Sequence, residues 1–327
     1  MTGPVKIQRP VGDNSPTATL YYGADCRDSL RLLPEQSVHC VVTSPPYWGL
    51  RDYGTGNNQI GLEASLDEFV GELVEVFREV RRVLRDDGTL WINLGDSYAS
   101  AGMGSGLKAK DLIGVPWRVA LALQADGWYL RNEIIYSKPN PMPESVKDRL
   151  TRSHEHVFLF AHPESGGSYF YDQDAIREPL KASSKNRNKY EWNNRQRTHD
   201  PKEIRSARHT VSGAMFEEAK GSNKRTVWEV SPKPYPGAHF AVFPPKLIEP
   251  CILAGCPKGG TVLDPFSGSG TTGQVAMDHQ RNYVGLDLNA DYLELAEARI
   301  LGERPPLKAD ESKEKPSILG FFGVQER

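Results

Sequence analysis

No apolar run in this chain approaches the roughly 18 residues of a membrane-spanning helix, so a helical membrane protein is excluded. Cysteine is scarce. Cys26, Cys40, Cys251 and Cys256 form no CxxC pair and are too few for a disulfide scaffold, which fits a reducing cytoplasm. A surplus of one charge is also missing: 40 Lys and Arg against 42 Asp and Glu leave a net of -2. That excludes a uniformly basic nucleic-acid coat while leaving open how the charge is distributed. The first ten residues carry no apolar core, so a secretory signal is not expected. No Cys/His cluster has metal-ligand spacing, and the paired His154 and His156 merely flank a strand, so no metal is expected. What remains is a 327-residue chain, 38% apolar and 25% charged, with the composition of a soluble globular protein.

Apolar runs alternate with amphipathic ones, which argues for an α/β domain. Strands are expected at Ala18–Tyr22, Val38–Val42, Thr89–Leu94, Asn132–Tyr136, His156–Ala161, Thr261–Asp264 and Tyr283–Asp287. The strongest helix signal follows Ser65, which makes a capping box with Glu68. Phe69, Val70, Leu73, Val76, Phe77, Val80 and Leu84 then repeat at helical spacing, and Gly88 is expected to stop the helix. Pro116 opens a second helix that closes near Gly127, and a third runs from Asn289 to Ile300. Between Lys181 and Thr226 the texture changes: twelve Lys and Arg face five Asp and Glu, a net of +7 that leaves -9 for the rest. By composition alone, this stretch is either a disordered surface insertion or a segment that meets nucleic-acid phosphates.

The segment Thr261-Val262-Leu263-Asp264-Pro265-Phe266-Ser267-Gly268-Ser269-Gly270-Thr271-Thr272-Gly273 reads as strand, glycine loop, helix. Gly268 to Gly273 matches the dinucleotide fingerprint GxGxxG, and Asp287 ends the next strand. Asp264 speaks against a dinucleotide, because a carboxylate at that strand end repels a pyrophosphate. It suits a cationic ligand without phosphate, and S-adenosylmethionine, with its sulfonium and ammonium groups, is such a ligand. A second turn, Ser44-Pro45-Pro46-Tyr47, also ends a strand. Consecutive prolines fix the backbone and leave carbonyls free to accept. A hydroxyl beside such a carbonyl can hold an exocyclic NH₂, and Tyr47 offers a face on which an extruded base stacks.

Thr43 to Tyr47 together with Asp264 to Thr272 resembles the amino-methylating DNA methyltransferases of bacteria and phages, which modify cytosine N4 or adenine N6. The catalytic turn precedes the cofactor loop, similar to the permuted β arrangement of that family. Gly23-Ala24-Asp25, Gly88 to Asp96, Ile134 to Pro139, and His239-Phe240 with Phe243-Pro244 agree, so the likeness runs from about Leu20 to Ile300. The resemblance implies a Rossmann-like, seven-stranded, mostly parallel sheet, circularly permuted, with an irregular basic target-recognition insert. It divides the chain into a catalytic part (1–180), the insert (181–226), a cofactor-binding part (227–301) and a mobile tail (302–327). It implies S-adenosyl-L-methionine as cofactor, with Asp264, Phe266, Gly268, Gly270 and Thr271 around its methionine part. Asp287 would meet the ribose and Asp25 the adenine edge, while His239, Phe240 and Pro244 would close the pocket. Ser44, Pro45, Pro46 and Tyr47 would hold the flipped base. Double-stranded DNA is the implied partner and the bacterial or phage-infected cytoplasm the location. A cognate restriction endonuclease is an open companion, and monomer and homodimer are both open. Ser44 as the first residue of the turn favours cytosine N4, because adenine enzymes of the family usually resemble Asp-Pro-Pro-Tyr.

Other readings differ in what they need. A 5-methylcytosine enzyme requires a Pro-Cys nucleophile, and Pro250-Cys251 exists, but in an apolar helix-like stretch where Cys is most simply a core residue. An inactive DNA-binding relative, an RNA or protein methyltransferase and an NAD-dependent oxidoreductase stay open at this stage.

Overall fold

The computed structural model describes residues 4–8, 15–49, 59–180, 221–232 and 243–303. One sheet organises them, with strands β1 (Val5–Gln8), β2 (Thr17–Tyr22), β3 (Val38–Thr43), β4 (Leu84–Leu94), β5 (Tyr129–Ser137), β6 (His154–Ala161), β7 (Val227–Glu229), β8 (Thr261–Asp264) and β9 (Asn282–Asp287). Their order is β1-β2-β9-β8-β3-β4-β6-β5-β7, nine strands among the described residues. The expected seven form the middle, from β2 to β5. Antiparallel β1 extends one edge beside β2 and parallel β7 the other beside β5, two short strands without a sequence signal of their own.

Strands β2, β9, β8, β3 and β4 run parallel, whereas β6 is antiparallel to both β4 and β5. The permutation closes at β2 and β9, which pair from Ala18↔Tyr283 to Tyr22↔Asp287 although they come from opposite ends of the chain. Strands from both sides of the 181–226 stretch therefore interleave in one sheet.

Alternation along the strands sends side chains to two cores. Val41 of β3 joins the layer formed by helices α1 (Cys26–Arg31), α2 (Leu66–Val83) and α3 (Val115–Ala125). Cys40 and Val42 join the opposite layer, formed by α4 (Pro245–Gly255), α5 (Thr271–Asp278) and α6 (Leu293–Leu301). The capping box is present: the Ser65 hydroxyl accepts from the Glu68 N–H, and the Glu68 carboxylate accepts from the Ser65 N–H. Phe69, Leu73, Val76, Phe77 and Val80 of α2 are buried on one stripe, as their spacing demands.

Gly88 does not end α2. The helix stops at Val83, and Leu84 already pairs with Val38. The register then jumps to Cys40↔Thr89, so residues 85–88 bulge outward, and Gly88 closes the bulge where an added Cβ would lie 2.5 Å from Leu84 Cδ1. Cys251 lies buried in the α4 core, where burial pushes its thiol up, as the packing reading of that residue requires. Among the described residues no helix is long and apolar enough to cross a membrane.

Candidate active site

The functional turns gather where parallel strands end, the position at which open α/β sheets hold ligands. From the edge inward these ends are Tyr22 to Asp25 after β2, Asp287 on β9, Asp264 on β8, Thr43 to Tyr47 after β3, and Asn93 to Asp96 at the end of β4. The start of β6 and the end of β5 reach the same side, because β6 runs against β4.

The glycine loop follows β8. Gly270 sits at φ +76°, and an added Cβ there would lie 3.1 Å from Ala296 of α6, so both backbone conformation and packing require glycine. Gly268, at φ +50°, has open space where a side chain would stand. The loop is pinned from several sides. The Ser267 hydroxyl is 2.7 Å from the phenol oxygens of Tyr22 and Tyr283, Tyr22 donates to the Gly268 carbonyl at 2.9 Å, and Arg299 donates to Ser269 Oγ at 2.9 Å. The Asp287 carboxylate accepts from the N–H groups of Gly268 (2.7 Å) and Asn289 (2.9 Å), and burial raises it to about 6.

Asp264 is only 1% exposed. Its carboxylate accepts from Thr43 Oγ1 (2.6 Å), Thr272 Oγ1 (2.6 Å) and the Phe266 N–H (3.0 Å). Burial nevertheless raises it to about 6. This residue ties the last position of β3, directly before Ser44, to the start of α5. Asp25 caps α1 and takes the Arg27 side chain at 2.7 and 3.0 Å. Burial alone would raise its carboxyl, but the Arg27 hydrogen bonds outweigh burial and hold it below the ordinary value. Phe266 is partly buried against the first core, Thr271 opens α5, and Pro244 precedes α4. His239 and Phe240, the tail from 304 and most of the basic stretch (181–220) lie outside the described residues.

At the Ser44–Tyr47 turn, Ser44 and Tyr47 converge on Asn93, whose Nδ2 is 3.4 Å from Ser44 Oγ and 3.3 Å from the Tyr47 phenol oxygen. The same Nδ2 donates to Glu155 Oε2 at 2.8 Å, and Tyr47 donates to that oxygen at 3.0 Å. The second Glu155 oxygen pairs with Lys138. Burial and the Glu155 charge push the Tyr47 phenol above its ordinary range. Among the described residues nothing donates to the Pro45 carbonyl, which leaves it available as an acceptor. Asn93 and Glu155 carry no local sequence signal of a role: Asn93 lies inside a buried strand, and Glu155 stands between two histidines at a strand entrance. Their partnership comes from β4 pairing with β6, where Asn93 faces Val157 and Glu155 is the diagonal neighbour.

Gly95 belongs to the same pocket. An added Cβ would lie 2.6 Å from Tyr47 Cε2 and 3.0 Å from its Cζ, so only glycine lets the ring lie against this backbone. Because a misplacement of about 1 Å can remove roughly 10²-fold of rate, Gly95→Ala is expected to lower kcat at least about tenfold. Cofactor affinity should change little. Steady-state turnover beside a cofactor titration measures both, and wild-type turnover would refute the assignment.

Comparison with known proteins decides what this pair of turns belongs to. A family model described as DNA methylase, covering N6 and N4 amino-methyltransferases, matches residues 38–298. The chain belongs to the N6/N4 DNA methylase family. It is an S-adenosylmethionine-dependent DNA amino-methyltransferase. Among curated relatives of this methylase, the Type II methyltransferase M.Cfr9I of Citrobacter freundii is 47% identical over 308 residues, covering 88% of each chain. M.SmaI of Serratia marcescens is 46% identical, covering 86% of this chain and 90% of the relative. Among solved structures, the PvuII DNA methyltransferase (cytosine-N4-specific) superposes with TM-score 0.61 at 19% identity, covering 96% of this methylase and 94% of that chain. A DNA modification methylase of Thermus thermophilus, TTHA0409, solved with S-adenosyl-L-methionine, gives TM-score 0.52 at 25% identity, with 88% and 97% covered.

The residues present fit that cofactor. Asp264 and Asp287, which have no cationic partner among the described residues, make the strand ends anionic, whereas Asp25 is paired with Arg27; this suits a cationic ligand and disfavours a pyrophosphate. The open side of Gly268 leaves room for a ligand against the loop backbone.

Proposed function

We propose that this Type II DNA methyltransferase transfers its methyl group to N4 of a cytosine flipped out of duplex DNA. The observation that carries the reading is Ser44: the turn presents a hydroxyl, not a carboxylate, at its first position. When bound, S-adenosylmethionine supplies an electrophilic methyl group. The chain's own residues have the task of making a poor nucleophile attack it.

An exocyclic amine conjugated to its ring has a delocalised lone pair. Acceptors on its two N–H groups turn that lone pair out of the ring plane and toward the methyl. Ser44 Oγ has one lone pair facing Asn93 Nδ2 and retains another for the base. The unengaged Pro45 carbonyl is the second acceptor, and Pro46 holds it rigid. Tyr47, oriented by Glu155 and Asn93, is the stacking face. Direct attack needs no covalent enzyme intermediate, consistent with the burial of Cys251.

Asp264, Phe266, Gly268, Gly270 and Thr271 would surround the methionine part of the cofactor. Asp287 would accept from its ribose and Asp25 would meet the adenine edge, with Pro244, His239 and Phe240 completing the pocket. The stretch from 181 to 226 is the proposed target-reading segment, supported by its net of +7. Membership among Type II enzymes supports a restriction endonuclease as companion.

Incubating the protein with labelled S-adenosylmethionine and mixed DNA, then digesting to nucleosides and separating them by mass spectrometry, tests the base. The expected product is N4-methylcytosine. N6-methyladenine without N4-methylcytosine would reject the choice of base and leave fold and cofactor standing.

A further inference from the structure

Between β5 and β6 the chain makes a long connection, residues 138–153, outside the two turns already described. Within it Arg149 and Arg152 both bring their guanidinium groups over the ring of Tyr98, at 3.7 and 5.1 Å from its centroid. Arg149 is neutralised by an ion pair with Glu144. Arg152 is not. Its Nη1 and Nη2 are both buried and have no hydrogen-bond partner among the described residues.

Arg152 as a whole is partly buried, but two donor atoms covered without an acceptor are costly, and folded proteins leave few such groups unpaired. The arrangement lacks an anion that takes a planar, forked donor. We propose that Arg152 is a phosphodiester-binding residue that grips the DNA backbone beside the flipped base. The proposal rests on DNA as substrate and stands whichever base is methylated.

Position supports it. Ser153, the next residue, is anchored by the Lys138 N–H to its carbonyl at 2.7 Å, and Glu155 holds Tyr47 of the catalytic turn. At about 3.3–3.6 Å per extended residue, Arg152 lies within roughly 10 Å of chain from the group that orients the base-stacking ring. A nucleotide extruded onto that ring brings its own phosphate along. Guanidinium matches phosphate oxygens bidentately; the Tyr98 ring stores the cation beside the site, and the side chain turns outward to bring its covered Nη atoms to the phosphate. The same connection presents Met142 at 76% and Leu150 at 89% exposure, apolar side chains of the kind that interfaces cover.

Two arms test the proposal. In the first, the wild-type protein binds duplexes that carry a single neutral methylphosphonate at successive positions around the target base. One or two adjacent substitutions are expected to weaken binding about tenfold, since charge-assisted hydrogen bonds are the strong ones. Arg152→Gln should weaken binding of the unmodified duplex equally and abolish the effect of those same substitutions. In the second arm, the slope of log affinity against log salt should flatten by about 0.9 in Arg152→Gln, the signature of one lost phosphate contact. Arg152→Lys should restore the slope, and its affinity should lie between the other two. The DNA KM should rise more than kcat falls, with S-adenosylmethionine affinity unchanged. Methylphosphonate penalties that are the same in wild type and Arg152→Gln would overturn the assignment. So would a loss confined to cofactor binding, which would mean that the anion is the cofactor carboxylate. A variant that fails to fold leaves the wild-type series decisive, because uniform tolerance of every methylphosphonate refutes the contact by itself.

Discussion

Ser44→Ala is expected to lower kcat by about 10²–10³-fold, the range seen when one preorganised polar group is removed from a reacting centre. Cofactor affinity should stay near wild type, because the Ser44 hydroxyl faces Asn93 and the base pocket, away from the Asp264 cluster. Tyr47→Ala should behave similarly and also strand a partner, because Glu155 Oε2 then keeps only the Asn93 donor. Tyr47→Phe separates the two functions proposed for this residue: it preserves the ring face and removes the hydroxyl that bonds to Glu155 and Asn93. A smaller kcat loss than Tyr47→Ala would assign stacking as the larger contribution. Single-turnover methyl transfer at saturating DNA, with a cofactor titration, measures these effects. Wild-type rates in Ser44→Ala would sink the assignment of this turn.

What the sequence made legible was local. A capping box, an alternating strand and a glycine loop are each specified within about a dozen residues, so the start of α2, β8 and both strand-end turns stand where the local pattern puts them. Groups joined only by the sheet were not legible. Glu155 reaches Tyr47 across 108 residues and Asn93 across 62, through a pairing of β4 with β6 that neither segment announces. Gly88 is ambiguous for a related reason: after an amphipathic run, a glycine can end the helix or close a bulge, and only the pairing with β3 distinguishes them. Helix α1 is a single short piece, six residues long, held by Asp25 at its start and by tertiary packing, without a long apolar stripe to betray it. The charge of Asp264 suggests a cofactor contact; the Thr43 and Thr272 hydroxyls that donate to its oxygens show a second, structural role that motif spacing does not reveal.

That second role yields distinct outcomes for two substitutions. Asp264→Ala removes the acceptor of the Thr43 and Thr272 hydroxyls and of the Phe266 N–H, all in a buried place. An unsatisfied buried group costs about 1–3 kcal/mol, and the threonines recover part by rotating, so the protein should lose about 3 kcal/mol and its cofactor binding with it. Asp264→Asn keeps the shape and one acceptor while deleting the charge. Here the pH dependence decides. Burial raises the folded-state value from 3.8 to about 6, so the folded protein holds the proton more tightly than the unfolded chain. The stabilising contribution is then fully present below about pH 4 and is lost as pH rises through about 6. Asp287, raised by burial to about 6 as well, acts in the same direction. Without cofactor, wild-type stability should therefore fall between pH 4 and 6 by more than that of Asp264→Asn, measured by urea unfolding across this range. A cationic ligand favours the ionised carboxylate, so cofactor affinity should rise through about pH 6 with release of protons, detectable by calorimetry in buffers of different ionisation enthalpy. In Asp264→Asn that rise should shrink, and affinity at pH 7 should drop about tenfold or more. If the variant matched the wild-type pH profile in both measurements, the carboxylate would be a structural joint alone, with no electrostatic part in holding the cofactor.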